Sequence, residues 1–120
     1  MSTKSELENY LKSEFGMVSE DGTIFVADYN LGNGRSQRAM AILDEDQLIV
    51  ASPFAREGQV TADKIFDTAG LPVMKFGDLY CSARVFPMAN LQTDEVDFMI
   101  SVTTISADNL ERELGLGDDF

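Results

Sequence analysis

The chain contains no histidine and no tryptophan, and it has a single cysteine, Cys81. Without histidine, the side chain that most often moves protons or ligates metals near neutrality is missing. One cysteine forms no internal disulfide, builds no cysteine-cluster metal site and, without a histidine beside it, makes a poor nucleophile. Cys81 alternates with Leu79, Ala83 and Val85, a pattern that predicts a small buried hydrophobe. Bases are scarce as well: 9 Lys and Arg stand against 21 Asp and Glu, for a net charge of −12. That balance repels a phosphate backbone and an anionic lipid surface, so it excludes nucleic acid and membrane as natural partners. It either attracts a basic protein or serves solubility alone. No apolar run approaches the ~18 residues of a membrane span, and no apolar stretch follows the opening Met1 to Glu6. The expected location is the cytoplasm, where a lone thiol stays reduced.

What is present is the material for one core. Hydrophobic residues fill 44% of 120 positions, enough for residues 1–120 to fold as a single domain. Thr3 and Glu6 have capping-box spacing, and Leu7, Tyr10, Leu11 and Phe15 recur at helical intervals, which predicts a helix over 3–15 ended by Gly16. After the turn Glu20-Asp21-Gly22, β-branched and aromatic residues predict strands over 23–30, 36–43 and 47–52. Asn33-Gly34 and Asp44-Glu45-Asp46 are the turns between them, and Pro53 marks the expected end of the third. A helix over 60–69 follows, with Ile65, Phe66 and Ala69 inward and Gly70 and Pro72 as its stop. Gly77-Asp78 then suits a type II′ hairpin between strands 73–76 and 79–86.

The last element, 94–114, opens with Thr93 as cap candidate and is expected as one long helix with Phe98, Val102 and Ile105 as its stripe. A strand to about Thr104, then a short helix capped at Ser106, is the alternative, because the middle is dense in β-branched residues. The tail, Leu116 to Phe120, is expected to fray. The order is α-β-β-β-α-β-β-α, an α+β domain on an antiparallel sheet.

The search for chemistry returns little. Asp44-Glu45-Asp46 lacks the spacing of a calcium loop, and Asp118-Asp119 reads as an exposed pair. Asp28 is the one carboxylate inside an apolar strand. Gly32 and Gly34 belong to neither phosphate-binding glycine motif. No catalytic, cofactor-binding or metal-binding residue is expected. The informative residues are apolar. Along 79–86, Leu79, Cys81, Ala83 and Val85 take one face, and Tyr80, Ser82, Arg84 and Phe86 take the other. If the first face packs on helices, the second carries two aromatics and an arginine outward, types enriched where partners bind. Phe25 and Tyr29 offer a similar second face on the first strand. Phe25, Tyr29, Tyr80, Arg84 and Phe86 are therefore the candidate partner-binding set. A helix of this chain, a second copy or a client would cover such a face.

Several short phrases carry a resemblance: Arg35-Ser36-Gln37, Val50-Ala51-Ser52-Pro53-Phe54, and the run from Ile105 through Asn109, Glu111 and Leu114 to Asp118-Asp119-Phe120. With the element order, they resemble YbjN-domain proteins, bacterial relatives of type III secretion chaperones of the Tir-chaperone class. The resemblance implies a non-enzymatic, often homodimeric domain, chaperone-like or regulatory, and supplies no catalytic residues. The expected function is protein binding. The rival is a small-molecule-sensing regulator with a pocket between the sheet and the C-terminal helix.

Overall fold

The computed structural model describes residues 3–32, 34–69, 72–116 and 120, without the side chains of 68 and 69. Helix α1 (Lys4–Phe15) is capped as its sequence predicts: Glu6 N–H donates to Thr3 Oγ1, and the Thr3 hydroxyl donates back to Glu6 Oε1 at 2.9 Å. It ends at Gly16, left-handed at φ +64°, whose N–H closes on the carbonyls of Leu11 and Lys12. Leu7 and Leu11 are buried, and Tyr10 and Phe15 half-buried beside them, so the predicted stripe is the packed one.

Strands β1 (Ile24–Gly32), β2 (Arg35–Asp44) and β3 (Gln47–Arg56) form the expected meander. After helix α2 (Ala62–Ala69), strands β4 (Val73–Phe76) and β5 (Leu79–Pro87) complete one five-stranded antiparallel sheet, ordered β1-β2-β3-β5-β4. Helix α3 (Thr93–Glu113) then crosses the sheet. The β4–β5 loop is two residues long, between the paired Phe76 and Leu79, with Gly77 at the φ of +60° that its position requires. The Asn33-Gly34 turn and the stop at Gly70 lie partly or wholly outside the described residues, as do the side chain of Ala69 and the Asp118-Asp119 pair.

Five expectations are corrected. Pro53 does not end β3. The β2–β3 ladder stops at Met40–Ala51, so the missing proline N–H interrupts no bond to β2, and β3 continues to Arg56 against β5 through a bulge at Phe54. Beyond that ladder, side chains bridge the strands: Ser52 Oγ donates to the Arg38 carbonyl and Gln37 Nε2 to the Pro53 carbonyl, at 2.5 and 2.7 Å. Phe66 is exposed, so α2 packs through Ile65. The 93–113 segment is one helix, with Gln92 rather than Thr93 at the cap and the Glu95 carboxylate accepting Gln92 N–H. Its buried stripe runs through Val96, Met99, Ile100, Thr103, Ala107 and Leu110, whereas Phe98 and Ile105 are 66% and 46% exposed. The β-branched middle is accommodated because Thr104 Oγ1 donates back to the Ile100 carbonyl at 2.7 Å. Finally, Phe120 is not frayed: it is buried, with the Arg56 guanidinium 5.2 Å from its ring centre.

Candidate functional site

Strand alternation gives the sheet two faces, and register decides which side chains share one. Phe25, Ala41, Val50 and Arg84 form one row across β1, β2, β3 and β5. The face that carries this row packs on α1 and α3: Leu7, Leu11, Val96, Met99 and Ile100 close over Phe25, Ala39, Ala41, Leu48 and Val50. A second apolar cluster, of Phe54, Ala55, Ile65, Ala107, Leu110 and Leu114, continues it under the C-terminal half of α3.

All five candidate partner-binding residues lie on this roofed side. Phe25 is 1% exposed, and Tyr29, Tyr80, Arg84 and Phe86 are half-buried. The expected outward face of aromatics is therefore inward. The alternation of β5 is as read, but its sign is reversed. Ala51, Cys81 and Ala83 are buried on the opposite side by neighbouring strand residues alone, with Met40, Phe76 and Leu79 around them. Small side chains reach low exposure without a helix above them, so they do not mark the helix-facing side.

That opposite face is the candidate site. Ile24, Ile42, Ile49 and Val85 stand directly across four strands, and Val26, Met40, Ala51 and Ala83 form the next row. Met74 of β4 lies across from Cys81 beside them. Among the described residues, seven large hydrophobics are exposed, and four of them, Val18, Ile24, Met74 and Val85, belong to this face or its margin. Val18 reaches it through a bridge, exchanging two backbone hydrogen bonds with Val26 at the outer edge of β1. A groove of about 420 Å³ runs there, between Val18, Ser19, Glu20 and Asp21 on one side and Ile24 and Val26 on the other.

One tightly held side chain is not singled out by sequence. Asp108, 2% exposed on α3, accepts from Arg35 Nε at 2.9 Å and from Arg35 Nη2 through Oδ1, and from Arg112 Nη2 through Oδ2. Burial raises the pKa of its carboxyl, but the hydrogen bonds and charges of Arg35 and Arg112 outweigh burial and hold it below the usual carboxylate range. The one legible signal is the i,i+4 spacing of Asp108 and Arg112. The arrangement ties the start of β2 to the end of α3; a carboxylate so held is a clamp, not a base.

The interface between the sheet and α3, where a sensor pocket is expected, is filled by Val50, Ser52, Ile100, Thr103, Thr104 and Ala107, all essentially unexposed. A groove of about 460 Å³ lies at its margin, between Phe86 and the first turns of α3 at Asp94, Glu95, Phe98 and Met99. Between α1 and α3 the Tyr10 hydroxyl donates to Asp97 Oδ1 at 2.5 Å; burial and that carboxylate push the phenol up to about 12, so it remains a donor. Burial likewise pushes the Cys81 thiol up to about 12. Native protein at pH 8 should therefore react with Ellman's reagent at least about a thousandfold more slowly than unfolded protein, since the thiolate forms only when the sheet opens. Labelling at the unfolded rate would show Cys81 to be accessible.

The fold and site define a class: an α+β domain with one roofed sheet face, one bare apolar sheet face and a buried clamp between sheet and helix. Among the described residues no helix is long and apolar enough to cross a membrane. No family model, curated protein or solved structure matches the chain.

Proposed function

We propose that this is a cytoplasmic, non-enzymatic protein-binding domain, chaperone-like or regulatory, that holds its partner on the bare face of the sheet. The observation that carries this reading is the double row of Ile24, Ile42, Ile49 and Val85 beside Val26, Met40, Ala51 and Ala83, apolar and without a covering helix among the described residues. Contiguous apolar surface of this kind is the usual mark of an interaction site. The lack of histidine and the inert Cys81 support a role without catalysis. The resemblance of its short phrases to YbjN-domain proteins and secretion chaperones points the same way.

Affinity capture from the host, with wild type and an Ile24→Ser/Val85→Ser variant as baits, tests the proposal. Both positions are nearly half exposed (42% and 46%), so the variant keeps its fold, which circular dichroism checks. Partners retained by wild type and lost by the variant are the expected result. The same proteins on both baits, or none on either, would sink it.

A second reading, a small-molecule sensor, draws on the groove at Phe86 and Phe98, whose volume falls within the ~300–1,000 Å³ of ligand clefts. Thermal-shift screening separates the two: this reading requires a metabolite whose stabilisation is removed by Phe98→Ala and unaffected by the Ile24→Ser/Val85→Ser variant.

A further inference from the structure

The bare face is small and asymmetric in charge. Its two apolar rows cross four strands, and three interstrand spacings of about 4.8 Å give a width of about 14 Å. The rows sit about 7 Å apart along the strands, and Cys81 with Met74 adds a third level, for a length also of about 14 Å. A platform of that size accommodates one α-helix, about 10 Å in diameter, for about three turns. A second copy of the chain would need roughly 800 Å² from each partner, several times this platform, and would bring another −12 against the first. The floor favours a convex rod as well: Ala51, Ala83 and Cys81 are small and buried in the middle, and the larger Met40, Phe76 and Leu79 pack around them.

Charge sets the orientation. Asp44 follows Ile42 on the same face, Glu45 and Asp46 form the turn beyond it, and Glu20 and Asp21 wall the groove beside Ile24. Among the described residues, none of these five acids is in an ion pair. Asp21 is also fixed in place, because its Oδ1 accepts from the N–H groups of Thr23 and Ile24. At the other end of the apolar rows Asp28 faces Arg38, and further along Arg56 and Lys75 are already engaged by Asp78 and Glu57. One end of the platform is therefore acidic and uncompensated, and the other is balanced.

Resting on the protein-binding reading above, we infer that the bare face takes a single amphipathic helix of another protein, its apolar stripe along Ile42, Ile49, Met40 and Ala83 and its Lys or Arg side chains against Glu20, Asp21 and Asp44. The helix adds a third layer to a two-layer domain. Its basic residues neutralise carboxylates that, among the described residues, sit in no ion pair.

The test uses the whole protein and a fluorescein-labelled 18-residue peptide of Leu, Ala and Lys with all leucines on one helical face. An analogue with Glu for Lys, and a scrambled peptide of the same composition, are the controls. Anisotropy should show the Lys peptide binding at least tenfold more tightly than either. The triple change Glu20→Gln, Asp21→Asn, Asp44→Asn should weaken it about tenfold, because three exposed charge contacts are lost together. Asn at position 21 keeps the acceptor that closes the turn, so the variant folds. Glu8→Gln, Asp63→Asn, Asp67→Asn makes the same change in net charge on α1 and α2 and should leave binding unchanged. Equal affinity for the Lys and scrambled peptides, equal loss in both triple variants, or a dimer that Val85→Glu dissolves would overturn the inference. A host partner that is lost from the Ile24→Ser/Val85→Ser bait but contains no basic helix would overturn the inference alone and leave the protein-binding reading standing.

Discussion

Asp108→Ala should destabilise the protein by about 2–4 kcal/mol, one of the largest losses from a single polar side chain in this fold. Removing one partner of a fully buried ion pair costs about 3–5 kcal/mol, because the remaining charge stays desolvated. Here the carboxylate is buried at 4% side-chain exposure, while the side chains of Arg35 and Arg112 are 33% and 59% exposed, so water recovers part of that loss. Against a total stability of about 5–15 kcal/mol, the change is large, and the melting temperature should fall by roughly 6–15 °C. Urea denaturation of wild type, Asp108→Ala and Arg112→Ala measures it. Arg112→Ala should cost well under half as much, since Arg35 still holds the carboxylate from two nitrogens. Equal losses from the two variants would show that the clamp is an ordinary surface pair.

The same group gives a pH dependence with a definite sign. The native carboxyl of Asp108 is held below its ordinary value of 3.8, so the unfolded chain takes up its proton first as pH falls. The stabilisation is complete above about pH 5, declines as pH drops through 3.8, and is lost once the native carboxyl is protonated. With 21 acids, protonation elsewhere also relieves repulsion, so the useful quantity is the difference between wild type and Asp108→Asn. That difference should be constant from pH 7 to 5 and shrink toward pH 3. A difference that stays constant down to pH 3 would remove the ion pairs as its source.

Element order and both ends of α1 were legible because each rested on local chemistry. The Thr3–Glu6 box, the glycine at 16, the Gly77-Asp78 hairpin and the alternating strands all act within a few residues. What local pattern does not encode is sign. In β5, Leu79, Cys81, Ala83 and Val85 do share a face, but nothing within the strand says whether a helix lies above it. Aromatics read as outward turned out to be the larger side chains needed to fill space beneath α1 and α3, and the small residues read as core lie on the bare side. The same limit applied to α3, where Phe98, Val102 and Ile105 have helical spacing, yet Phe98 and Ile105 are exposed and Val102 is only half-buried. The Asp108 clamp joins residues 73 apart in sequence, and no window along the chain contains both ends.

Phe25→Ala should cost about 3–5 kcal/mol, and Ile24→Ala, one residue earlier on the same strand, no more than about 1 kcal/mol. The two side chains have similar hydrophobic character and sit on neighbouring pairs of one ladder, Phe25 across from Ala41 and Ile24 across from Ile42. They differ in which face they take. Phe25 is packed at 1% exposure under Leu7 and Leu11 with the Lys12 ammonium 5.9 Å from its ring centre, so truncation opens a cavity that the layers cannot close. Ile24 is 42% in solvent, and its loss removes some apolar area and a little strand propensity. Paired unfolding curves therefore fix the polarity of the sheet without reference to any partner. They also bear on function, because a residue that contributes little to stability yet extends an apolar row is available for binding. If Ile24→Ala proved as damaging as Phe25→Ala, the face taken as bare would be a packed one, and both the docking surface and the basic helix assigned to it would fall together.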